Sequence, residues 1–362
     1  MLEHPAPHPD LDNDPGNGLD HGLDYGLRPE AVPFTVIGID FGGTKTEIAL
    51  ADPHGAVLAR ERIPTLADRG PEQALARAGE AAARLVRTSR ESFGAPVAAH
   101  AAVAPGIVQA DRILLTPNLP GWERIALASR LAEELKADSV SVANDVRAGA
   151  LAELRFGALR DADPGVYVSL GTGIAAALTV GGRVLAGAHH AAGEIGYMNP
   201  GDSPADAVAA GRAPLEEAVA GKGLGERAAE LLGLPVTAEE LFRSELPAAR
   251  ELVDETLTLL ATALANLTVF VDPERIVLGG GMMASADVIL PRLTELITAA
   301  TPFPPEVRAA RFLKDASLHG AVALALDGLA PGAPAALPAV TTLPDLPDLP
   351  TLPATTRPGA TR

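Results

Sequence analysis

The sequence predicts an α/β protein of two similar domains, each built on a mixed sheet, with a cleft between them. The 362 residues, 47% of them hydrophobic, are enough for two cores. Residues 36–50 form an apolar, β-branched run that breaks at residues 42–43 and then resumes, which predicts a β-hairpin with a glycine tip. Residues 165–180 repeat that order around a Gly-Thr-Gly tip, which indicates an internal duplication.

The first half of the chain continues as alternating strands and helices. Residues 56–63 are predicted to form a third strand, and residues 71–93 a long amphipathic helix with one apolar face. The remaining elements of this half are a buried strand at 97–103, a helix at 125–135, a strand at 139–143 and a helix at 146–156. This order is typical of a mixed sheet covered by helices, so we place the first domain at residues 34–145.

The second half begins with the repeated hairpin and ends in helices. Strands are predicted at 165–170, 174–180, 183–185 and 276–278, and helices at 215–220, 225–232, 238–244 and 247–271. Three glycines, 279–281, precede a further helix and permit the close approach of a flat or charged group. A last helix, at 318–329, is expected to pack back onto the first domain, which leaves residues 146–317 as the second domain.

Both ends of the chain have the composition of solvated tails. Residues 1–33 are rich in Asp, Pro, Gly, Asn and His, and residues 330–362 repeat Leu-Pro-Asp. Neither segment can bury enough apolar surface to fold alone, so we expect a disordered acidic tail and a disordered Pro-rich tail.

Charge and composition argue against several classes of protein. The net charge of −17 disfavours a nucleic-acid partner, because phosphates would be repelled. The chain has no Cys, which excludes disulfides, thiol catalysis and Cys-ligated zinc. No signal peptide is evident, and the most apolar helical stretch, 257–271, is shorter than a bilayer span and contains Asn266. We therefore expect a cytoplasmic protein without a membrane partner.

The tip of the first hairpin has the residues of a phosphate site. Gly42 and Gly43 let backbone N–H groups approach a ligand closely, because no Cβ intervenes. Asp40 can hold a hydrated Mg²⁺, and Thr44 and Lys45 add a hydroxyl and an amine. The alternative is an ordinary tight turn with a solvated Lys45, and the hairpin alone does not decide between the two.

Five motifs follow one another along the chain. They are Asp40-Phe41-Gly42-Gly43-Thr44-Lys45, Asn144-Asp145, Gly171-Thr172-Gly173, Gly193-Glu194-Ile195-Gly196 and Gly279-Gly280-Gly281. In this order and at these separations the chain resembles the ROK family of sugar kinases and sugar-responsive repressors over residues 36–329. The resemblance implies the two-domain actin-like ATPase fold, which is ribonuclease H-like, with duplicated βββαβα domains and a central cleft.

The resemblance also implies a role for each matching residue. Asp40 would hold Mg²⁺ through water, and Asp145 would be the general base. ATP would be bound by Gly42, Gly43, Thr44, Lys45, Gly171, Thr172, Gly173, Gly279, Gly280 and Gly281. Sugar hydroxyls would be bound by Asn118, Asn144, Asp145, Glu194 and Glu216, with Glu217 as the alternative to Glu216.

Elementary chemistry agrees with these roles. Phosphoryl transfer depends on positioning and charge neutralisation, so it needs two phosphate clamps and a metal ion. A carboxylate that follows a buried strand, as Asp145 does, can accept the proton of a sugar hydroxyl. The alternative role for Asp145 is the N-cap of the helix that begins at Val146.

The chain departs from the family pattern at the usual zinc site. In family members a His after Glu-Ile-Gly and three Cys hold zinc, and that His also contacts the sugar. Here Tyr197 takes its place and the chain has no Cys, so we expect no structural zinc. His189 and His190 lack a Cys or a spaced acid that would complete a metal site.

The sequence thus predicts an ATP-dependent kinase that phosphorylates a hexose hydroxyl, with glucose at O6 as the first choice. A kinase for fructose or an N-acyl hexosamine is an alternative. A catalytically silent sugar sensor is the competing hypothesis, because Tyr197 and the missing zinc loop alter the site. The expected ligands are a sugar, ATP and Mg²⁺, and the resemblance implies a homodimer or homotetramer.

Overall fold

A computed structural model describes residues 32–116 and 118–329, which lie in one compact unit. The predicted tails at 1–33 and 330–362 lie outside the described residues, except for positions 32 and 33.

Two five-stranded sheets form the centre of the fold. The strands are β1 Thr35–Phe41, β2 Lys45–Ala51, β3 Val57–Pro64, β4 Val97–Ala104, β5 Ile107–Val108, β6 Ile113–Leu114, β7 Ser141–Asn144, β8 Gly165–Leu170, β9 Ile174–Val180, β10 Arg183–Val184, β11 Arg275–Gly279 and β12 Glu306–Ala309. The first sheet has the order β3-β2-β1-β4-β7, and the second has the order β10-β9-β8-β11-β12. In each, an antiparallel meander is extended by two parallel strands.

The two sheets therefore have the same topology. The hairpin β1–β2 corresponds to β8–β9, and the parallel pair β4 and β7 corresponds to β11 and β12. This match confirms the predicted duplication and the predicted α/β fold of the actin-like ATPase type.

Helices cover the faces of both sheets. Those of the described residues are α1 Pro71–Phe93, α2 Leu127–Leu135, α3 Asp145–Phe156, α4 Pro214–Val219, α5 Gly221–Leu232, α6 Ala238–Phe242, α7 Pro247–Val271, α8 Ala286–Ala300 and α9 Ala316–Asp327. Helices α1 and α7 have the predicted bounds. Both begin with a proline, whose fixed φ suits the first turn, and α1 ends where Gly94 adopts a left-handed conformation.

Helix α7 is long and apolar enough to cross a membrane by length and composition alone. More than half of its most apolar window, 56%, is buried, and Leu257, Leu260 and Leu264 belong to the core of the second sheet. Its hydrophobicity is that of a core helix.

An aromatic contact fixes the tip of the first hairpin against the loop that precedes α2. Phe41 and Trp122 are fully buried, with ring centroids 5.1 Å apart in an edge-to-face arrangement. The end of β1 and the loop that contains Asn118 are thus held beside one another.

Helix α9 returns to the first sheet. Leu318, Val322 and Ala325 pack against Val36 and Ala101 in one buried cluster. The helix comes so close to β1 that a Cβ on Gly38 would lie 2.8 Å from the backbone nitrogen of Val322. Only glycine permits this approach without a shift of the helix.

The structure contains elements that the sequence did not predict. Strands β5 and β6 form a small separate hairpin, and β12 is an edge strand of the second sheet. Helix α5 begins at Gly221, four residues before the predicted start at residue 225. A 3-10 turn, Gly281–Ser285, precedes α8.

Candidate functional site

The tip of the β1–β2 hairpin is tightly closed. The Gly42 N–H donates to the Lys45 carbonyl at 2.9 Å, and the Thr65 hydroxyl donates to the Gly42 carbonyl at 2.6 Å. Gly43 faces Asn118, since a Cβ at Gly43 would lie 3.0 Å from the Cβ of Asn118. Thr44 is exposed at the tip. The hairpin therefore presents backbone and hydroxyl groups next to an exposed amide side chain.

Lys45 forms an ion pair with a second residue of β2. Its Nζ lies 2.5 Å from the carboxylate of Glu47, which is buried and also binds Arg60 and Arg62. Burial opposes ionisation of Glu47, but hydrogen bonds from Lys45 and Arg62 and the charge of Arg60 hold its pKa below the ordinary value. The Lys45 ammonium is thus tethered beside the tip, whereas the sequence alternative was a solvated lysine.

Asp40 lies on β1 opposite Glu47 and next to the hairpin tip. The Ser317 hydroxyl, at the start of α9, donates to its Oδ2 at 2.6 Å. Burial raises the pKa of Asp40 to about 7, with the Ser317 hydrogen bond opposing the rise and the charges of Asp145 and Glu47 adding to it. The positive charge near Asp40 is therefore too small to offset its burial and the charges of the two neighbouring carboxylates.

A hydrated divalent cation beside Asp40 would supply the missing positive charge. Mg²⁺ is commonly held by one or two carboxylates together with substrate phosphates, and it keeps several waters. Among the described residues no group of three or more metal-ligating side chains gathers, so a complete protein cage is not formed there. His189 and His190 accordingly have no partner cluster in that part of the chain.

The second hairpin tip is supported by the start of α5. The Gly171 N–H donates to the Gly173 carbonyl at 2.9 Å. The N–H groups of Gly221 and Lys222 donate to the carbonyls of Gly171 and Thr172, at 2.8 and 3.2 Å. A Cβ on Gly221 would lie 2.9 Å from the Gly171 carbonyl oxygen, so glycine allows this pairing.

A cavity of about 380 Å³ lies beside this second tip. Its walls combine the tip residues and Lys222 with the apolar side chains of Val236, Phe242 and Met282. An apolar slot next to a glycine tip and a lysine is suited to a flat ring that carries phosphates. Lys222 carries no sequence motif and was missed by the sequence reasoning.

The three glycines after β11 divide into two groups. Gly281 lines the cavity, and a Cβ there would meet open space. Gly279 instead packs on the Tyr167 ring, and Gly280, with φ 92°, packs on the Leu170 backbone. Gly281 is thus the one of the three that borders the cavity, while the predicted adenosine contacts of Gly279 and Gly280 stay predictions.

Asn144 and Asp145 lie at the junction of β7 and α3. Asn144 is the N-cap of α3, and its Oδ1 accepts the backbone N–H of Arg147 at 2.8 Å. Asp145 is the first residue of the helix, and its Oδ1 accepts the Val146 N–H at 2.9 Å. The N-cap role, considered for Asp145, thus belongs to Asn144.

Asp145 is poised to titrate near neutrality. Burial raises its pKa to about 6, with the Val146 hydrogen bond opposing the rise and the charge of Glu194 adding to it. Its charge also acts on Asp40. The structure thus brings Asp145 close to carboxylates from both halves of the chain.

Glu194, Tyr197 and Glu216 form the other side of the site. Burial raises the pKa of Glu194, with Arg147 opposing the rise and Glu216 adding to it. Burial and the charges of both glutamates raise the pKa of the Tyr197 hydroxyl. Glu216 accepts the Ile174 N–H at 3.1 Å, just after the second tip.

The structure separates Glu216 from its neighbour Glu217. A Cβ on Gly173 or Gly196 would meet Glu216, so this side chain lies against the site. Glu217 instead pairs with Arg212 at the surface. Of the two glutamates, Glu216 is therefore the better candidate for binding the sugar.

The sequence reasoning missed Arg147, Lys222 and Ser317. Lys222 and Ser317 are brought to the site by packing between elements distant in sequence, as the bonds from the Lys222 N–H to the Thr172 carbonyl and from Ser317 to Asp40 show. Only Arg147 had a local signal, since it lies one helical turn from the Asn144-Asp145 pair.

Comparison with known proteins places this geometry in a family. The ROK family profile matches residues 36–328. The chain is 30% identical over 298 residues to the kanosamine kinase of Amycolatopsis mediterranei, covering 80% of this chain and 95% of that protein. It is 31% identical over 302 residues to an N-acetylmannosamine kinase of Escherichia fergusonii, covering 80% and 98%.

A solved structure is similar as well. The ROK hexokinase from Thermus thermophilus is 29% identical, superposes with a TM-score of 0.68, and covers 81% of this chain and 98% of its own. The match spans both sheets and the five motifs. The chain therefore belongs to the ROK family.

Proposed function

We propose that this protein is a sugar kinase that transfers the γ-phosphoryl group of ATP to a hexose hydroxyl. The observation that supports it best is that Asp40, beside the first glycine tip, and Asp145 lie within electrostatic reach of each other and both have raised pKa values. Phosphoryl transfer requires phosphate clamps, charge neutralisation and a base for the attacking hydroxyl, and this site has a candidate for each.

The nucleotide occupies the cavity beside the second tip. The adenine ring lies between Val236, Phe242 and Met282, with Gly281 at its edge, because these residues form the apolar slot. Its phosphates run along the residues of the two hairpin tips, which are Gly42, Gly43, Thr44, Lys45, Gly171, Thr172 and Gly173. Lys222 adds a positive charge at the mouth of the cavity.

Asp145 accepts the proton of the attacking hydroxyl through Oδ2, because Oδ1 is held by the Val146 N–H. A carboxylate with a pKa of about 6 is mostly ionised at neutral pH and is a stronger base than a solvated aspartate. Asp40 would hold Mg²⁺ through water, and Ser317 orients its carboxylate. When bound, Mg²⁺ neutralises charge on the transferred phosphoryl group.

The sugar lies between Asn118, Asn144 and Asp145 on one side and Glu194 and Glu216 on the other. Glucose at O6 is the first candidate substrate, as the family resemblance implies. An amino or N-acyl sugar is the second, because two similar proteins are kinases of kanosamine and N-acetylmannosamine. The charges of both glutamates act on the Tyr197 hydroxyl, which supports Tyr197 as a residue that discriminates among these sugars.

The proposal is tested by incubating the purified protein with MgATP and a panel of sugars. The panel contains glucose, fructose, glucosamine, kanosamine and N-acetylmannosamine, and ADP formation is measured. Turnover that is lost in Asp145→Asn supports the kinase. Asp138→Asn, which alters an exposed aspartate before the start of β7, at the opposite end of that strand from Asn144, is the matched control. Sugar binding by calorimetry without any ADP formation would instead support the catalytically silent sensor.

We also propose that the protein is cytoplasmic, forms a dimer or tetramer, and holds no structural zinc. Light scattering of the purified protein measures the assembly. Elemental analysis tests the metal claim, since one tightly bound zinc per chain would contradict it.

A further inference from the structure

Arg147 is a buried arginine to which neither the sequence motifs nor the proposed reaction gives a role. It lies in the first turn of α3, three residues after Asn144, and is only 6% exposed. Burying a guanidinium is unfavourable unless nearby groups compensate for its lost hydration. The groups that surround the Arg147 guanidinium therefore indicate its role.

The first compensating group is the Asn144 side chain. Both the backbone N–H and the Nε–H of Arg147 donate to Oδ1 of Asn144, at 2.8 and 3.0 Å. Because both groups are donors only, the amide oxygen must face them, and Nδ2 is the atom left to bind a ligand. Asn144 can then act toward a sugar only as a hydrogen-bond donor.

The second compensation is electrostatic. The charge of Arg147 acts on both Asp145 and Glu194, and in each case it opposes the rise in pKa caused by burial. Its Nη1 is buried without a hydrogen-bond partner among residues 32–116 and 118–329. Toward the two carboxylates Arg147 thus acts through its charge, while Asn144 receives its hydrogen bonds.

We propose that Arg147 is a positioning residue of the sugar subsite, which holds the Asn144 amide with Nδ2 toward the substrate and places a buried guanidinium charge near Asp145 and Glu194. The proposal rests on the proposed function, since it concerns the residues assigned to the sugar and the base. It adds a residue that acts through others and need not touch the substrate.

Three substitutions separate the two effects. In Arg147→Gln the amide Nε2 takes the topological place of Nε, so the donor to Asn144 is kept and the charge is lost. In Arg147→Lys the charge is kept and the Nε donor is lost. In Arg147→Met both are lost, while an unbranched side chain that reaches as far as the position of Nε is kept. The backbone N–H of residue 147 still donates to Asn144 in all three variants.

The readout is the pH profile of sugar kcat/KM at saturating MgATP, together with the sugar KM at pH 8. The acid limb is the part of this profile in which kcat/KM falls as the pH is lowered. We expect it to shift to higher pH by about one unit in Arg147→Gln and Arg147→Met, because a carboxylate that loses a nearby cation holds its proton more tightly. We expect the sugar KM to rise in Arg147→Lys and Arg147→Met by about 3- to 10-fold, as for a lost hydrogen bond.

Arg155→Gln is the matched control, because Arg155 lies on the same helix but pairs with Asp327 at the surface. It should leave the acid limb and the sugar KM unchanged. Thermal melting and the affinity for an ATP analogue verify that each variant is folded. A folded Arg147→Met with the wild-type limb and the wild-type KM would overturn the proposal.

Failure of this inference is distinguishable from failure of the kinase assignment. If the wild-type protein phosphorylates no sugar, the kinase assignment fails. The inference is then tested by ¹³C NMR titration of the carboxyl groups, with Asp145 assigned by its absence in Asp145→Asn. The Asp145 pKa must be higher in Arg147→Met than in wild type, and an unchanged value would overturn the inference.

Discussion

The substitution Asp40→Asn should make the protein more stable while weakening its use of Mg²⁺. Asparagine has nearly the size of aspartate and keeps an oxygen to accept the Ser317 hydroxyl, which lies 2.6 Å from Asp40 Oδ2. It removes a charge that lies in a desolvated position beside Asp145 and Glu47. Stability and activity should therefore change in opposite directions, as is common for strained active-site groups.

The magnitude follows from the shift of the pKa of Asp40 from 3.8 to about 7. Between these values the folded protein keeps a proton that the unfolded chain has released, so the free energy of unfolding falls as pH rises. A shift of about three pH units corresponds to about 4 kcal/mol at most. The gain of Asp40→Asn over wild type should thus be small at pH 4 and should grow to a limit near pH 8.

The assay is urea unfolding of both proteins between pH 4 and pH 8 without Mg²⁺. Asp138→Asn, which alters an exposed aspartate before the start of β7, is the control for the loss of one carboxylate at the surface. A difference between Asp40→Asn and wild type that does not grow with pH would refute the assignment of a desolvated carboxylate. In activity assays, the Mg²⁺ concentration needed for half-maximal turnover should rise in Asp40→Asn.

Three further predictions concern the cleft and its support. The sugar kcat/KM at saturating MgATP should fall on the acid side with a pKa of about 6, because protonated Asp145 cannot accept a proton; a profile flat from pH 5 to 8 would contradict this. Lys222→Met should raise the KM for ATP by about 10-fold and leave the sugar KM unchanged, as expected for one lost contact to phosphate. Gly280→Ala should lower stability by about 1–3 kcal/mol in thermal melts, because φ is 92° and the new Cβ would lie 2.5 Å from the Leu170 carbonyl oxygen. Gly233→Ala, at φ 70° with open space around it, should lower stability by less than Gly280→Ala. It measures the backbone strain without a steric clash.

Local sequence patterns predicted the elements whose signal is periodic and strong. The bounds of α1 and α7 follow from an amphipathic or apolar repeat with a proline at the start of each helix. The two hairpins follow from glycine tips between β-branched runs. Such signals lie within about 25 residues and need no knowledge of distant contacts.

Elements that depend on partners were not predictable in the same way. Strands β5 and β6 have two residues each, too few for a period to be seen. Strand β12 alternates Glu306 and Arg308 with half-buried residues, and it is a strand because β11 lies beside it. Its charged positions face solvent at the sheet edge, which hides the apolar signal.

The same limit applies to the site. Asp40, Asn144 and Asp145 were found because they belong to motifs, whereas Ser317 and Lys222 reach the site through tertiary contacts. The three glycines 279–281 look alike in sequence, and only the structure shows that Gly279 and Gly280 pack against Tyr167 and Leu170 while Gly281 borders the cavity. A motif gives candidate residues, and the fold decides which of them face the ligand.

The return of α9 to the first sheet has a consequence for synthesis of the chain. The sheet face built from Val36, Ala49 and Ala101 leaves the ribosome well before Leu318 and Val322, the residues that cover it, have been made. Until then an apolar face and the unpaired Asp40 stay open to other proteins, which is the situation in which nascent domains aggregate or engage chaperones. The first sheet can thus complete its fold only after α9 has been made.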